Sequence, residues 1–295
     1  MRILVISGSP KGKYSITLQT VLYLQKLFKE HEFEILHAGQ KINALEKDFS
    51  PALAALEKAD LLLFSYPVYT FIAPYQLHRF IRLMKEHKAP VAGKFATQIT
   101  TSKHFYDVTA HRYVEDNCHD LGLRYIKGLS ADMEDLPTKK GQQEAKAFFE
   151  KLLWSMENGY TEPYYPISVP YTPAPVTVPE VKKAENGRVV IICDGENDMV
   201  RRFRAVLGLQ TEVVNLQEYP FIGGCLGCFG CATDGKCIYK DGFDEFLRTK
   251  IQSADAMIYA FTICDHSMGT PLSSTMTASS ATVTAPSPWA HLWAI

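Results

Sequence analysis

The sequence predicts an α/β fold built on a parallel sheet, and three observations carry that prediction. Short apolar runs alternate with amphipathic helical stretches five times in the first half. The runs, such as Leu61-Leu62-Leu63-Phe64, are apolar at consecutive positions, as expected of strands covered on both faces. The same alternation restarts after a proline-rich interruption, so the chain reads as one complete unit followed by an incomplete second copy.

The elements follow in order. Ile3–Ile6 is a buried strand ended by Gly8-Ser9-Pro10. Ile16, Leu18, Val21, Leu22, Leu24 and Leu27 make a helical stripe over 16–28. Phe33–His37 is the second strand, and Ser50-Pro51 opens a helix with Ser at the N-cap and Pro at N1. Asp60–Tyr66 is the third strand, 74–87 a helix, Phe95–Thr101 the fourth strand and 107–121 a helix. Tyr125–Leu129 is the fifth strand and 139–156 the closing helix. This unit spans residues 1–157.

Residues 158–186 hold Pro163, Pro166, Pro170, Pro173, Pro175 and Pro179, which exclude a helix and disfavour a strand. We expect an extended linker that leans on a domain surface through Tyr160, Tyr164, Tyr165 and Tyr171. A partial second unit over 187–269 then offers strands at Arg188–Cys193, Glu212–Leu216 and Ala256–Ile263, with helices at 199–206 and 243–251. From Thr270 to Ile295 there is no Asp, Glu, Lys or Arg. That reads as an aberrant tail, a frameshift product rather than a natural low-complexity end.

Lys and Arg number 31 against 32 Asp and Glu, a formal charge of −1. This balance points away from nucleic acid. The longest aliphatic runs fall far short of the roughly 20 residues that span a bilayer, and the first residues lack a signal-peptide pattern. The expected location is the cytoplasm.

Two loops carry the chemistry. The segment from Gly8 to Thr17 lies between a strand and a helix and is rich in glycine and hydroxyls. Ser9, Ser15 and Thr17 offer donors, and the helix start adds free N–H groups and a positive dipole end, a setting for an anion. After the third strand comes Pro67-Val68-Tyr69-Thr70-Phe71, then Ala73-Pro74 and Gln76-Leu77. In an open α/β sheet such loops meet where the strand order reverses. One offers phosphate donors and the other aromatic edges for a flat ring.

These pieces, with Phe80-Ile81, resemble the flavodoxin-like NAD(P)H-dependent FMN reductase family over about the first 157 residues. The resemblance implies a flavodoxin-like doubly wound parallel sheet, FMN as cofactor and NAD(P)H as electron donor. It implies that Ser9, Lys11, Ser15, Ile16 and Thr17 hold the FMN phosphate. Pro67, Val68, Tyr69, Thr70 and Phe71 would border the ring, and Thr100 and Ser102 would approach its far edge. The chain departs from many relatives in lacking Asn near Ser15 and Lys at His78 or Arg79. It also implies an electron acceptor, a small molecule or a redox protein, and a homodimer or a pseudo-dimer through the second half.

Four of the seven cysteines crowd together as Cys225-x2-Cys228-x2-Cys231-x5-Cys237. The compact spacing in a Gly-rich turn suits a 4Fe–4S cluster better than zinc and resembles iron–sulfur flavoproteins. Flavin-only relatives carry a similar segment, so redox-active or free thiols stay an alternative. Cys118, Cys193 and Cys264 are expected to pack as small apolar residues. The loop after the second unit's first strand carries Asp194, Glu196 and Asp198, which would repel a phosphate. His104 falls near the expected ring edge, and His111 and His119 are read as surface histidines. Tyr106 and Tyr113 would line the substrate side or pack in the core. Three functions follow: an FMN-dependent oxidoreductase, an iron–sulfur electron carrier, or a non-enzymatic flavodoxin-like module with a defective second half.

Overall fold

The computed structural model describes residues 1–69, 71–103, 106–164, 187–207, 210–219, 222–228 and 230–282. The first sheet is built from β1 (Arg2–Ser7), β2 (Glu32–Leu36), β3 (Leu61–Pro67), β4 (Phe95–Ser102) and β5 (Arg124–Tyr125), in the order β2-β1-β3-β4-β5. A further strand, β6 (Leu129–Asp132), also pairs with β4. Every pairing is parallel. This is the doubly wound, flavodoxin-like order, with its switch point between β1 and β3.

Strand alternation sorts the core into two layers. Ile3, Val5, Leu61 and Leu63 face α1 (Ile16–Leu27) and α6 (Lys139–Glu157), meeting Leu18, Val21, Leu24, Phe149 and Leu152. Leu4, Ile6, Leu62 and Phe64 face α3 (Ser50–Lys58), α4 (Tyr75–Glu86) and α5 (Val108–Asp120). Each fully buried Leu, Ile or Phe contributes about 1.5–3 kcal/mol, so both faces of the sheet must be covered. A short helix, α2 (Ile42–Leu45), lies after β2.

Some boundaries differ from the sequence expectation. The fifth strand is split into β5 and β6 around Gly128, where a Cβ would stand 2.4 Å from the carbonyl oxygen of Gln98. Ser50 is the first residue of α3 rather than its cap, and its N–H donates to Asp48 Oδ1 at 3.0 Å. The start of the expected linker does lean on the first unit. Tyr160 stacks on Trp154 at 5.2 Å, Tyr164 stacks on His119 at 4.8 Å, and Glu162 N–H donates to Tyr125 O. Tyr165 and Tyr171 lie outside the described residues.

The second half repeats the opening of the first. β7 (Arg188–Cys193), β8 (Gln210–Asn215) and β9 (Ala256–Ala260) form a parallel sheet in the order β8-β7-β9. α7 (Asp198–Leu207) covers one face. The short α8 (Cys231–Asp234) lies in the cysteine segment, and on the other face lie α9 (Phe243–Phe246) and the π-helical turn Leu247–Ile251. β9 stops at Ala260, and Phe261, Thr262 and Ile263 are exposed.

The uncharged segment begins as a helix. α10 (Gly269–Thr282) buries Leu272, Ser273, Ser274 and Thr275 and packs on α4. The loop before it matches the loop before α4. Tyr69 and Ile72 exchange backbone hydrogen bonds, and so do Cys264 and Ser267. The two halves therefore meet through corresponding elements.

Candidate functional site

The loops after β1 and β3 flank the switch point. In the first, Ser15 caps α1, its Oγ accepting from Leu18 N–H at 3.4 Å. Ser9 is buried and its Oγ accepts from Lys11 N–H at 3.3 Å. Gly12 has φ +54°, a left-handed turn that glycine favours. A Cβ on Gly39 would fall 2.3 Å from Gly8 O, so the loop after β2 closes tightly on this one. Ile16 is 43% exposed. Thr17 is buried, and its hydroxyl is shared with Thr101 Oγ1 at 2.6 Å, so it braces α1 on β4.

In the second loop Val68 N–H donates to Thr101 O at 2.9 Å, extending β3 past Pro67. The tight Tyr69–Ile72 turn places Phe71 at φ +69° and leaves it 55% exposed. Backbone strain on a large aromatic is uncommon outside functional turns. Tyr106, 62% exposed, meets Phe71 edge-on at 5.7 Å. Thr70 and His104 lie outside the described residues.

At the end of β4 the two expected residues differ. Ser102 Oγ is buried without a protein partner. Thr100 turns inward. Its hydroxyl donates to Asp107 Oδ2 at 3.0 Å and lies 2.7 Å from His111 Nε2. With its single proton on Asp107, Thr100 must accept from an Nε2–H tautomer of His111. Ser130 Oγ donates to the same carboxylate oxygen at 2.5 Å, and His111 Nε2 stands 3.2 Å from it. His111 is thus a half-buried network member rather than a surface histidine, and burial lowers its pKa. Tyr113 packs in the core, stacked on buried His78 at 3.9 Å. Burial pushes His78 down to about 4.

The cysteine segment reaches this site from the other half. Gln76 Nε2 donates to Gly224 O at 3.3 Å and Cys225 O at 3.4 Å. Tyr69 is pushed up to about 12 by burial and by the neighbouring Cys225 and Cys228. Burial likewise raises Cys225, with Cys228, Cys231 and Cys237 adding to it. Among the described residues, no three His, Cys, Asp or Glu side chains are grouped to hold a metal ion. Cys118 and Cys193 are buried, as expected of small apolar residues. Cys264 departs from that expectation, since Arg82 Nη1 donates to its Sγ.

The rest of the seam between halves is polar. Lys85 bonds Asp265 at 3.1 Å, Asn117 Nδ2 donates to Asp265 O at 2.9 Å, and His266 pairs with Asp120 at 2.9 Å. Nothing in the sequence marks these pairs, because their members lie more than a hundred residues apart. The Thr100–Asp107–His111–Ser130 network is not written in the sequence either, because it forms only where β4, α5 and β6 close on one carboxylate, although Asp107 and His111 are one helical turn apart.

The first half fits FMN. It offers a glycine turn at a capped helix start, exposed aromatic edges and an orphaned buried hydroxyl on Ser102 at one switch point. The second half does not fit it. Asp194 Oδ2 accepts from Thr262 N–H at 3.0 Å, so a carboxylate occupies the corresponding loop.

The class defined by strand order is a flavodoxin-like α/β protein. Residues 1–117 match the family model described as NADPH-dependent FMN reductase. No curated protein matches the sequence. Similar solved structures include an NADH:FMN oxidoreductase in its apo form, at 20% identity, TM-score 0.45, covering 52% of this chain and 89% of that one. An NADPH-quinone reductase from P. pentosaceus has 16% identity and TM-score 0.41, covering 52% and 97%. An FMN-dependent NADH-azoreductase from Bacillus anthracis has 12% identity and TM-score 0.41, covering 51% and 98%.

Proposed function

We propose that the chain is an FMN-dependent oxidoreductase that takes electrons from NAD(P)H and delivers them to a small-molecule or protein acceptor. The observation that carries this reading is the convergence, at one switch point, of the capped glycine loop and the exposed Phe71–Tyr106 edge. The family match over residues 1–117 supports it.

Within this reading each loop has a task. Backbone amides of Ile16 and Thr17 at the start of α1 and the hydroxyls of Ser9 and Ser15 hold the phosphate, with Lys11 at the rim. Residues 67–71 border the ring, and Ser102 Oγ gains the partner it lacks. Thr17 and Thr100 act one step back, holding α1 on β4 and β4 on α5. When bound, FMN supplies acceptance of a hydride and release of electrons, so the protein's part is positioning and exclusion of water. The second half docks where a partner copy would, making the chain a pseudo-dimer. No helix among the described residues is long and apolar enough to cross a membrane.

Titration of the purified chain with FMN, followed by anaerobic addition of NADPH or NADH, tests this. One FMN per chain and bleaching of its visible band are expected. A chain that leaves FMN free in solution refutes the reading.

A further inference from the structure

The cysteine segment lies directly on the ring loop. A Cβ on Gly224 would stand 2.4 Å from Tyr75 Cδ1, and one on Gly227 would stand 2.7 Å from Tyr69 Oη. Gly227 also has φ +60°. Only glycine allows so close an approach in that conformation, and Gln76 clamps the intervening backbone through Gly224 O and Cys225 O. Within this clamped segment Cys225 is half-buried and Cys228 is exposed. The C-x-x-C spacing is one that forms reversible disulfides. An outer thiol that solvent reaches, backed by an inner one, can attack a disulfide and then be resolved.

We propose that Cys225 and Cys228 form a dithiol–disulfide pair that accepts the two electrons delivered at the ring site and hands them to a disulfide outside. This rests on the FMN reading above and names the class of acceptor. The balance closes in two steps. NAD(P)H gives up a hydride, the Cys225–Cys228 S–S bond takes its two electrons and breaks, and one proton from water completes two thiols. The Cys228 thiolate then attacks an external disulfide, expelling one thiol. Cys225 attacks the resulting mixed disulfide, re-forming the internal bond and releasing the second thiol. The second half thereby carries the acceptor in the same chain as the donor site.

The test uses the full chain saturated with FMN, oxidised with diamide and desalted. Iodoacetamide labelling with peptide mass mapping reads each cysteine before and after anaerobic NADPH. Diamide is expected to block both Cys225 and Cys228, and NADPH to reopen both. In the Cys228→Ser chain Cys225 stays open to label after diamide. Three results overturn the proposal: both thiols remain open after diamide; the flavin band bleaches while the pair stays blocked; or the isolated protein holds iron and sulfide on these cysteines. Failure of FMN to bind, or of its band to bleach, is visible in the spectrum and removes the flavin reading together with this one.

Discussion

Asp107 is the most exacting place to perturb the first half. It is 4% exposed, and one of its oxygens meets Thr100 Oγ1, Ser130 Oγ and His111 Nε2. Asp107→Asn preserves the shape but not the acceptor capacity. One amide oxygen can serve part of the set, and the amide N–H2 faces donors if turned the other way. A hydrogen bond to a charged group contributes about 1.5–3 kcal/mol, so losing one or two of them is expected to cost about 2–4 kcal/mol. For a domain of about 150–250 residues each kcal/mol lowers Tm by roughly 2–4 °C, a fall of roughly 4–16 °C. Thermal melts by circular dichroism measure it, and FMN titration at a temperature below both transitions runs beside them. The affinity for FMN is expected to change less than about threefold, under 1 kcal/mol, because Thr100 faces Asp107. A melt unchanged within error, together with lost FMN binding, would refute this and return Thr100 to the cofactor.

Three other outcomes are expected. Gly12→Ala forces a left-handed alanine, at a cost of about 1–2 kcal/mol, with its Cβ 2.4 Å from Gln40 Oε1; FMN titration should show binding weakened about five- to thirtyfold. His78 is buried and its folded pKa, about 4, lies below the unfolded 6.5, so the folded state binds fewer protons between those values. The stability it confers is present above pH 6.5 and is lost as pH falls toward 4, by about 3 kcal/mol; urea midpoints measured across that range should fall less in His78→Phe. His111, lowered in the same direction, adds to the same slope. Gln76→Ala removes both bonds to the cysteine segment. At about 0.5–1.5 kcal/mol per bond, hydrogen exchange at 222–228 should quicken several-fold while the β1 and β3 amides stay protected.

The local code of the chain was enough for the layered architecture. Consecutive apolar residues at Ile3–Ile6 and Leu61–Phe64, bounded by turn residues, fit strands covered on both faces, and the stripe from Ile16 to Leu27 fits a helix packed along one face. Strand periodicity and glycine turns act over a few residues, so they are written in order along the chain. The restart at Arg188 was legible for the same reason, as was the absence of a phosphate loop at Asp194. For the uncharged stretch from Thr270, composition reports no packing partner. Its helix is held by contact with α4, nearly two hundred residues earlier. Thr100 and Ser102 look alike in sequence, two hydroxyls on one side of a strand, yet one is bonded inward and the other is orphaned. That difference depends on where Asp107, His111 and Ser130 arrive once α5 and β6 close on β4. Likewise, only the docking of the second half brings Cys225 and Cys228 to Tyr69, because the hydrogen bonds and glycine contacts that hold them there join residues about 150 positions apart.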